Sequence, residues 1–220
     1  MASQVQEMLR LLEEDIVFGV LPARSRIVEE RIADRFGFKR HTVREALAQL
    51  EDMGLVRRIP NRGALVSELT PQQVREIYEL RELLETSAAR RTVLPVAPDV
   101  TDCMAEIQRR HSAAIVDEDF RAVFHLNIEF HAVQFSACAN RELERAIADY
   151  ARKAHLVRAI RYGDRAHMRK VEADHWAIVE AMKGSDVERL VEIVRAHLSG
   201  TSEDYLRLYE IRHGKERALA

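Results

Sequence analysis

The segment from Gly37 to Val56 constrains the fold more than any other part of the chain. Val43, Ala46, Leu47 and Leu50 fall on one helical face, while Arg40, His41 and Arg44 lie near the N-terminal end, where side chains can reach outward. Upstream, Ile27, Ile32, Ala33 and Phe36 form a shorter helix-like pattern that stops at Gly37, a residue suited to the left-handed position after a helix. Downstream, Gly54 ends the longer helix, Leu55 to Ile59 can pair with Ala64 to Ser67, and Pro60-Asn61-Arg62-Gly63 supplies the turn. Helix, turn, helix and two-stranded wing follow in order. In a helix-turn-helix the N-terminal end of the second helix enters the major groove of DNA.

Local charge agrees with a nucleic-acid partner where the total does not. The chain as a whole has net charge −2, which gives no hint of one. From Arg35 to Arg62, however, seven basic residues face Glu45, Glu51 and Asp52, a local balance of +4. Phosphate attraction is screened beyond roughly 8–10 Å at physiological salt, so the segment matters more than the total.

Leu21-Pro22, Val43-Arg44-Glu45-Ala46-Leu47, Leu50-Glu51, Gly54-Leu55-Val56 and Pro60-Asn61-Arg62-Gly63-Ala64 together resemble the winged helix of GntR-type transcriptional regulators. The resemblance implies that Arg40 and Arg44 contact bases or phosphates, with Lys39, His41 and Thr42 beside them and Asn61, Arg62 and Gly63 at the wing tip. The chain departs from the family pattern at two places. Pro22-Ala23 stands where Pro-Gly is usual, which favours a type I turn over a type II turn needing positive φ at its third position. Lys39 stands where the family has a capping serine, a hydroxyl worth about 1 kcal/mol, and Thr42 with Glu45 forms a Thr-x-x-Glu box that can start the helix later.

The winged helix is expected to end near Leu69, and the remaining chain is long enough for a second core. Thr70-Pro71 marks the join, a helix-capping threonine before proline at the first helical position. Breaks at 95–98, 116–119, 139–140, 163–164, 184–185 and 199–200 then divide six or seven amphipathic helices with no strand signal. The fold class is therefore mainly α: an N-terminal winged helix-turn-helix over 1–69, an antiparallel all-α bundle over 70–213, and a charged tail over 214–220 expected to fray.

The core stripes of those helices carry histidines. On the helix near 119–138, Phe120, Val123, Phe124, Phe130, Phe135 and Cys138 form the apolar face, and Asn127 and His131 share it. Val171, Ile178 and Met182 define a stripe that His175 occupies, and Leu190, Ile193, Val194 and Leu198 define one containing His197. Three inward histidines with an Asn partner at i, i+4 are about what a divalent metal needs from a protein. His111 also falls on an apolar stripe, so such placement is not unique to ligands.

Glu79-Leu80-Arg81, Leu84-Glu85, Phe130-His131, Asn140, His175, Ile178-Val179, Asp186 and His197-Leu198 resemble the FCD ligand-binding domain of the FadR-type branch of GntR regulators. The resemblance implies a divalent metal, zinc, nickel or manganese, held by Asn127, His131, His175 and His197. Asn127 stands where the family has Asp, and a neutral amide oxygen can ligate without adding charge. Arg81, on the stripe of Val74, Ile77, Tyr78, Leu84 and Ala88, must be paired if buried. It either bridges to Glu85 or, as the resemblance implies, pairs with the carboxylate of a small effector. Arg161 is a second candidate for that role, on the stripe of Leu143, Ile147, Tyr150, Ala154 and Val157.

Cys103 and Cys138 have no metal or redox spacing, and neither a signal peptide nor a membrane-spanning run is evident, which fits a reducing cytoplasm. The expected protein is not an enzyme but a homodimeric regulator that reads a palindromic operator and responds to a small organic acid. Two alternatives stand beside it: a metal-dependent hydrolase-like enzyme, and a regulator whose helical domain only dimerises.

Overall fold

The computed structural model describes residues 3–60, 62–158, 164–199 and 201–218. The chain divides into two compact units: residues 1–73 with 152–159, and residues 74–151 with 160–220.

The first unit opens with a helix that the sequence reading did not single out, α1 (Gln4–Val17), capped by the Ser3 hydroxyl accepting from the Gln6 amide. Met8, Leu12 and Ile16 recur at i, i+4 and bury one face of α1 against α3. There follow β1 (Arg26–Ile27), α2 (Glu29–Phe36), α3 (Arg40–Asp52), β2 (Val56–Ile59) and β3 (Gly63–Val66). The sheet has the order β1-β3-β2, so the two-stranded wing expected from the sequence gains a short third strand, with Ile27 opposite Ala64. Val43, Ala46, Leu47 and Leu50 of α3 are all buried in the core that α1 and the sheet complete. Gly37 ends α2 at φ 71°, and Gly63 at φ 84° lies so close to β1 that a Cβ there would collide with the Ile27 carbonyl.

Three expectations for this unit need correction. The turn before β1 is closed by the Ser25 amide on the Pro22 carbonyl, and the left-handed residue at its third position is Arg24 at φ 64°. The type I turn inferred from Ala23 is therefore not formed; the positive φ is carried one residue later, by an arginine paired to Glu68. The box of Thr42 and Glu45 is not formed either, because α3 is already helical at Arg40, with the Val43 amide on the Lys39 carbonyl and Thr42 inside the core. Finally, the stripe from Leu143 to Val157 is not one helix. It breaks at Ala154, and α8 (His155–Arg158) belongs to the first unit, where His155 Nδ1 lies 2.9 Å from Glu13 Oε1 of α1.

The secondary structure described for the second unit is all helical: α4 (Pro71–Arg91), α5 (Pro98–Val116), α6 (Phe120–Ser136), α7 (Arg141–Lys153), α9 (Arg165–Lys183), α10 (Val187–Leu198) and α11 (Thr201–Ala218). Thr70 and Gln73 cap the start of α4 reciprocally: Thr70 Oγ1 accepts from the Gln73 amide, and Gln73 Oε1 accepts from the Thr70 amide. Asp119, Asn140, Asp164 and Asp186 each accept a backbone amide of the helix that follows. α5 packs on α6 and α9, and α9 on α10, around Met104, Ile107, Phe130, Ile178, Met182 and Leu190. α11 runs as far as Ala218.

Candidate nucleic-acid interface and metal centre

The first face is basic. Burying Val43, Ala46 and Leu47 turns Lys39, Arg40, His41 and Arg44 to solvent at the start of α3. Thr42 points the other way and is 1% exposed, so it contributes packing rather than a DNA contact. Between α3 and the wing lies an open cleft of about 760 Å³ that includes Arg26, Arg40, Arg44, Arg58 and Arg62 in its lining. Arg26 Nε donates to the Arg62 carbonyl at 3.0 Å, tying β1 to the wing tip beside Gly63. Asn61 lies outside the described residues.

Two carboxylates, neither anticipated from the sequence, organise the cleft. Glu29, in the first turn of α2, holds Arg44 in a fork, with Arg44 Nη2 at 2.9 Å from Oε2 and Nε at 3.2 Å from Oε1. The hydrogen bonds from Arg44 keep the Glu29 carboxyl below its ordinary range against the opposing effect of partial burial. Glu51 likewise accepts from Arg58 Nε at 2.6 Å and from the Arg58 amide at 2.7 Å. Lys39, Arg40, Arg57 and Arg62 have no ion-pair partner among the described residues, in contrast to Arg44 and Arg58.

The second site is a triangle of imidazoles. α6 supplies His131, α9 His175 and α10 His197, with ring centroids 5.0, 5.0 and 5.1 Å apart. One nitrogen from each lies within 4.8 Å of the others. His131 Nε2 and His197 Nε2 are 3.2 Å apart. On the outer side every ring meets an oxygen: His131 Nδ1 meets Gln134 Oε1 at 2.8 Å, His175 Nδ1 meets Gln108 Oε1 at 2.6 Å, and His197 Nδ1 meets Asp174 Oδ2 at 3.2 Å. An oxygen of this kind accepts from Nδ1–H, which leaves the lone pair of each ring on Nε2. Phe130 stacks on His175 at 4.2 Å and 13°.

Charge around the triangle is arranged to match. Burial pushes the Asp174 carboxyl up, but hydrogen bonds from His197 and Lys170 outweigh it and hold the group below the usual carboxylate range. His111, fully buried on α5, is pushed down to about 4 by burial and by the charge of His197, so it is neutral. Its ring lies 5.1 Å from that of His175.

Of the remaining expected site residues, Asn127 is half-buried on α6, one helical turn before His131. Arg81 is 2% exposed and bridges to Glu85, with Nε and Nη2 at 3.0 and 2.9 Å from the same Oε1, over the Tyr78 ring. Of the two roles open to it, the internal salt bridge is thus formed. Arg161 lies outside the described residues. Gln108, Gln134 and Asp174 were not found from the sequence. Gln134 carried a signal in its position, three residues after His131, whereas Gln108 and Asp174, whose histidine partners lie on other helices, carried none.

A basic winged helix joined in one chain to a helical bundle with a buried polar centre fits a DNA-binding regulator of two domains. Residues 4–66 match the gntR family of bacterial regulatory proteins, and residues 76–200 match the FCD domain. The chain belongs to the FCD-containing regulators of the GntR family, which are transcriptional regulators and not enzymes. It is 28% identical over 207 residues to the HTH-type transcriptional regulator BphR of Paraburkholderia xenovorans (strain LB400), covering 90% of this chain and 84% of that one. It is 25% identical over 203 residues to the HTH-type transcriptional repressor RspR of Escherichia coli (strain K12), covering 90% and 87%. Among solved structures it resembles E. coli McbR/YncC with a TM-score of 0.81 at 19% identity, covering 95% of this chain and 100% of that one, a likeness of fold. No described helix is long and apolar enough to cross a membrane.

Proposed function

We propose that the helical unit binds a divalent metal ion through His131, His175 and His197, with Asn127 as a fourth, neutral ligand. A small organic acid bound beside the ion then changes how strongly the winged helix holds its operator. The observation that carries this reading is the triangle itself, three imidazoles from three helices with Nδ1 of each engaged by an oxygen. Two ring nitrogens bound to one ion at about 2.0–2.1 Å stand roughly 2.8–3.4 Å apart at octahedral or tetrahedral angles. His131 Nε2 and His197 Nε2 are 3.2 Å apart. Two lone pairs at that distance repel unless a cation, either a proton or a metal, lies between them. Imidazole ligands suit zinc and nickel better than manganese, which prefers oxygen, and the neutral Asn127 adds no charge that would select between zinc and nickel.

Arg81 is the effector's carboxylate anchor in this reading. Glu85 occupies its Nε–Nη2 edge, which leaves the Nη1 edge to receive an acid. The ion and Arg81 together would hold one small carboxylate. The protein acts as a cytoplasmic homodimer whose two winged helices read a palindrome, since a single recognition helix covers one half-site.

Metal analysis of the purified chain, followed by operator titrations with and without candidate acids, tests this function. Acid is expected to change operator affinity by about 1–3 kcal/mol, and operator to change acid affinity by the same factor. Arg81→Gln, which keeps a hydrogen bond to Glu85, is expected to abolish that response and leave effector-free DNA binding intact. A normal response in Arg81→Gln would remove Arg81 from the effector site. A chain that takes up no zinc, nickel or manganese would leave the histidines as core residues of a dimerisation domain.

On the DNA side, Arg44→Ala is expected to weaken specific operator binding about 5- to 150-fold, the range of one lost base contact. If Arg44 touches phosphate instead, binding should weaken evenly across sequences and the salt slope should fall by about one. Unchanged affinity in a salt-controlled titration would place the recognition surface elsewhere.

A further inference from the structure

Gln108, on α5, is fully buried and meets three polar groups at once. Its Oε1 is 2.6 Å from His175 Nδ1, while its Nε2 is 3.4 Å from His111 Nδ1 and 3.2 Å from Ser112 Oγ. A carbonyl oxygen only accepts and an amide NH2 only donates, so the orientation of this one amide sets the proton on two rings. With Oε1 toward His175, that ring carries its hydrogen on Nδ1 and its lone pair on Nε2. With Nε2 toward His111, Nδ1 of His111 accepts, and the single proton of a neutral ring must sit on Nε2. That atom is buried and has no hydrogen-bond partner among the described residues.

We propose that Gln108 is the positioning residue that keeps His175 in its metal-ligating tautomer, and that the same amide fixes the His111 proton on Nε2. The inference rests on the metal reading above. A neutral histidine left to itself favours the hydrogen on Nε2, the form that cannot ligate through that nitrogen. Turning the Gln108 amide over would present its NH2 to His175 Nδ1 and impose the same unsuitable form. In the observed orientation the amide hydrogens are directed at His111 Nδ1 and Ser112 Oγ, and Oε1 is left for His175. The relay therefore links two sites: a lone pair on His175 Nε2 requires a proton on His111 Nε2.

The test titrates Zn²⁺ against a competing chelator into the full chain as wild type, Gln108→Leu and Gln108→Glu, and reads histidine tautomers from ¹⁵N chemical shifts. Gln108→Leu is expected to lower zinc affinity about 10- to 100-fold, as loss of an outer partner of a ligating histidine does. Gln108→Glu keeps an acceptor on His175 and should bind zinc within a few-fold of wild type. It no longer donates to His111, so His111 should move its proton to Nδ1, whereas zinc-loaded wild type carries it on Nε2. This switch is a readout that a purely structural role would leave unmoved, and it needs only the glutamate variant if the leucine variant fails to fold. Wild type that binds zinc while Gln108→Leu binds it equally well, or while its His111 carries the proton on Nδ1, overturns the relay alone. Wild type that binds no zinc overturns the metal reading and the relay with it.

Discussion

Replacing His175 by alanine is expected to abolish metal uptake by the helical unit, the largest functional effect any single substitution should have there. His175 is fully buried, stacked on Phe130 and bonded through Nδ1 to Gln108, so no other side chain can take its place. The loss should exceed the ~10- to 100-fold typical of an outer partner, because a ligand itself is gone. The change is easily read by thermal unfolding. Free ion at 100 times its dissociation constant stabilises a folded protein by about 2.7 kcal/mol. For a unit of this size that raises Tm by about 5–11 °C. The shift should be present in wild type and absent in His175→Ala, and uptake should weaken in acid, where the imidazoles bind protons instead. Asn127→Asp should act in the opposite direction, adding a charge one turn before His131 and tightening retention. If His175→Ala keeps the full thermal shift, His175 is not a ligand.

The features that could be read from sequence are those set by local periodicity. The stripe of Val43, Ala46, Leu47 and Leu50 fixed which side of α3 faces outward, and with it the exposure of Arg40, His41 and Arg44. Two apolar-rich segments, Leu55–Ile59 and Ala64–Ser67, on either side of a Pro-Asn-Arg-Gly turn sequence anticipated the wing, whose pairs run from Val56 opposite Val66 to Ile59 opposite Gly63. The inward positions of His131, His175 and His197 followed from their stripes, and the structure brings all three together. The features that escaped depend on approach between distant elements. Asp174 meets His197 from another helix, and Gln108 meets His175 across 67 positions. Glu29 and Arg44 are on different helices, so no spacing rule joins them. The break at Ala154 escaped for another reason: Tyr150, Ala154 and Val157 continue the apolar stripe, while His155 turns away to Glu13 of α1. α1 itself was legible in Met8, Leu12 and Ile16, yet it lies upstream of the motif that dominates the reading.

Phe130→Ala is expected to be among the most damaging substitutions for folding, by about 3–5 kcal/mol, the usual result of removing a fully buried aromatic ring. Phe130 is fully buried, and it adds a function to its packing role: its ring lies 4.2 Å from that of His175 at 13° and meets His131 edge-on at 5.4 Å. It thereby limits the freedom of two of the three imidazoles, one on its own helix and one on α9. Phe130→Leu separates the two roles. Leucine restores most of the apolar volume and should recover most of the stability, but it offers no flat face to hold the His175 ring parallel. Urea unfolding of the metal-free chain should therefore rank wild type above Phe130→Leu and both well above Phe130→Ala. Zinc affinity should already have fallen in Phe130→Leu, because His175 then pays rotational freedom on binding. If Phe130→Leu binds zinc as tightly as wild type, the stacked ring is packing alone and Gln108 suffices to aim His175.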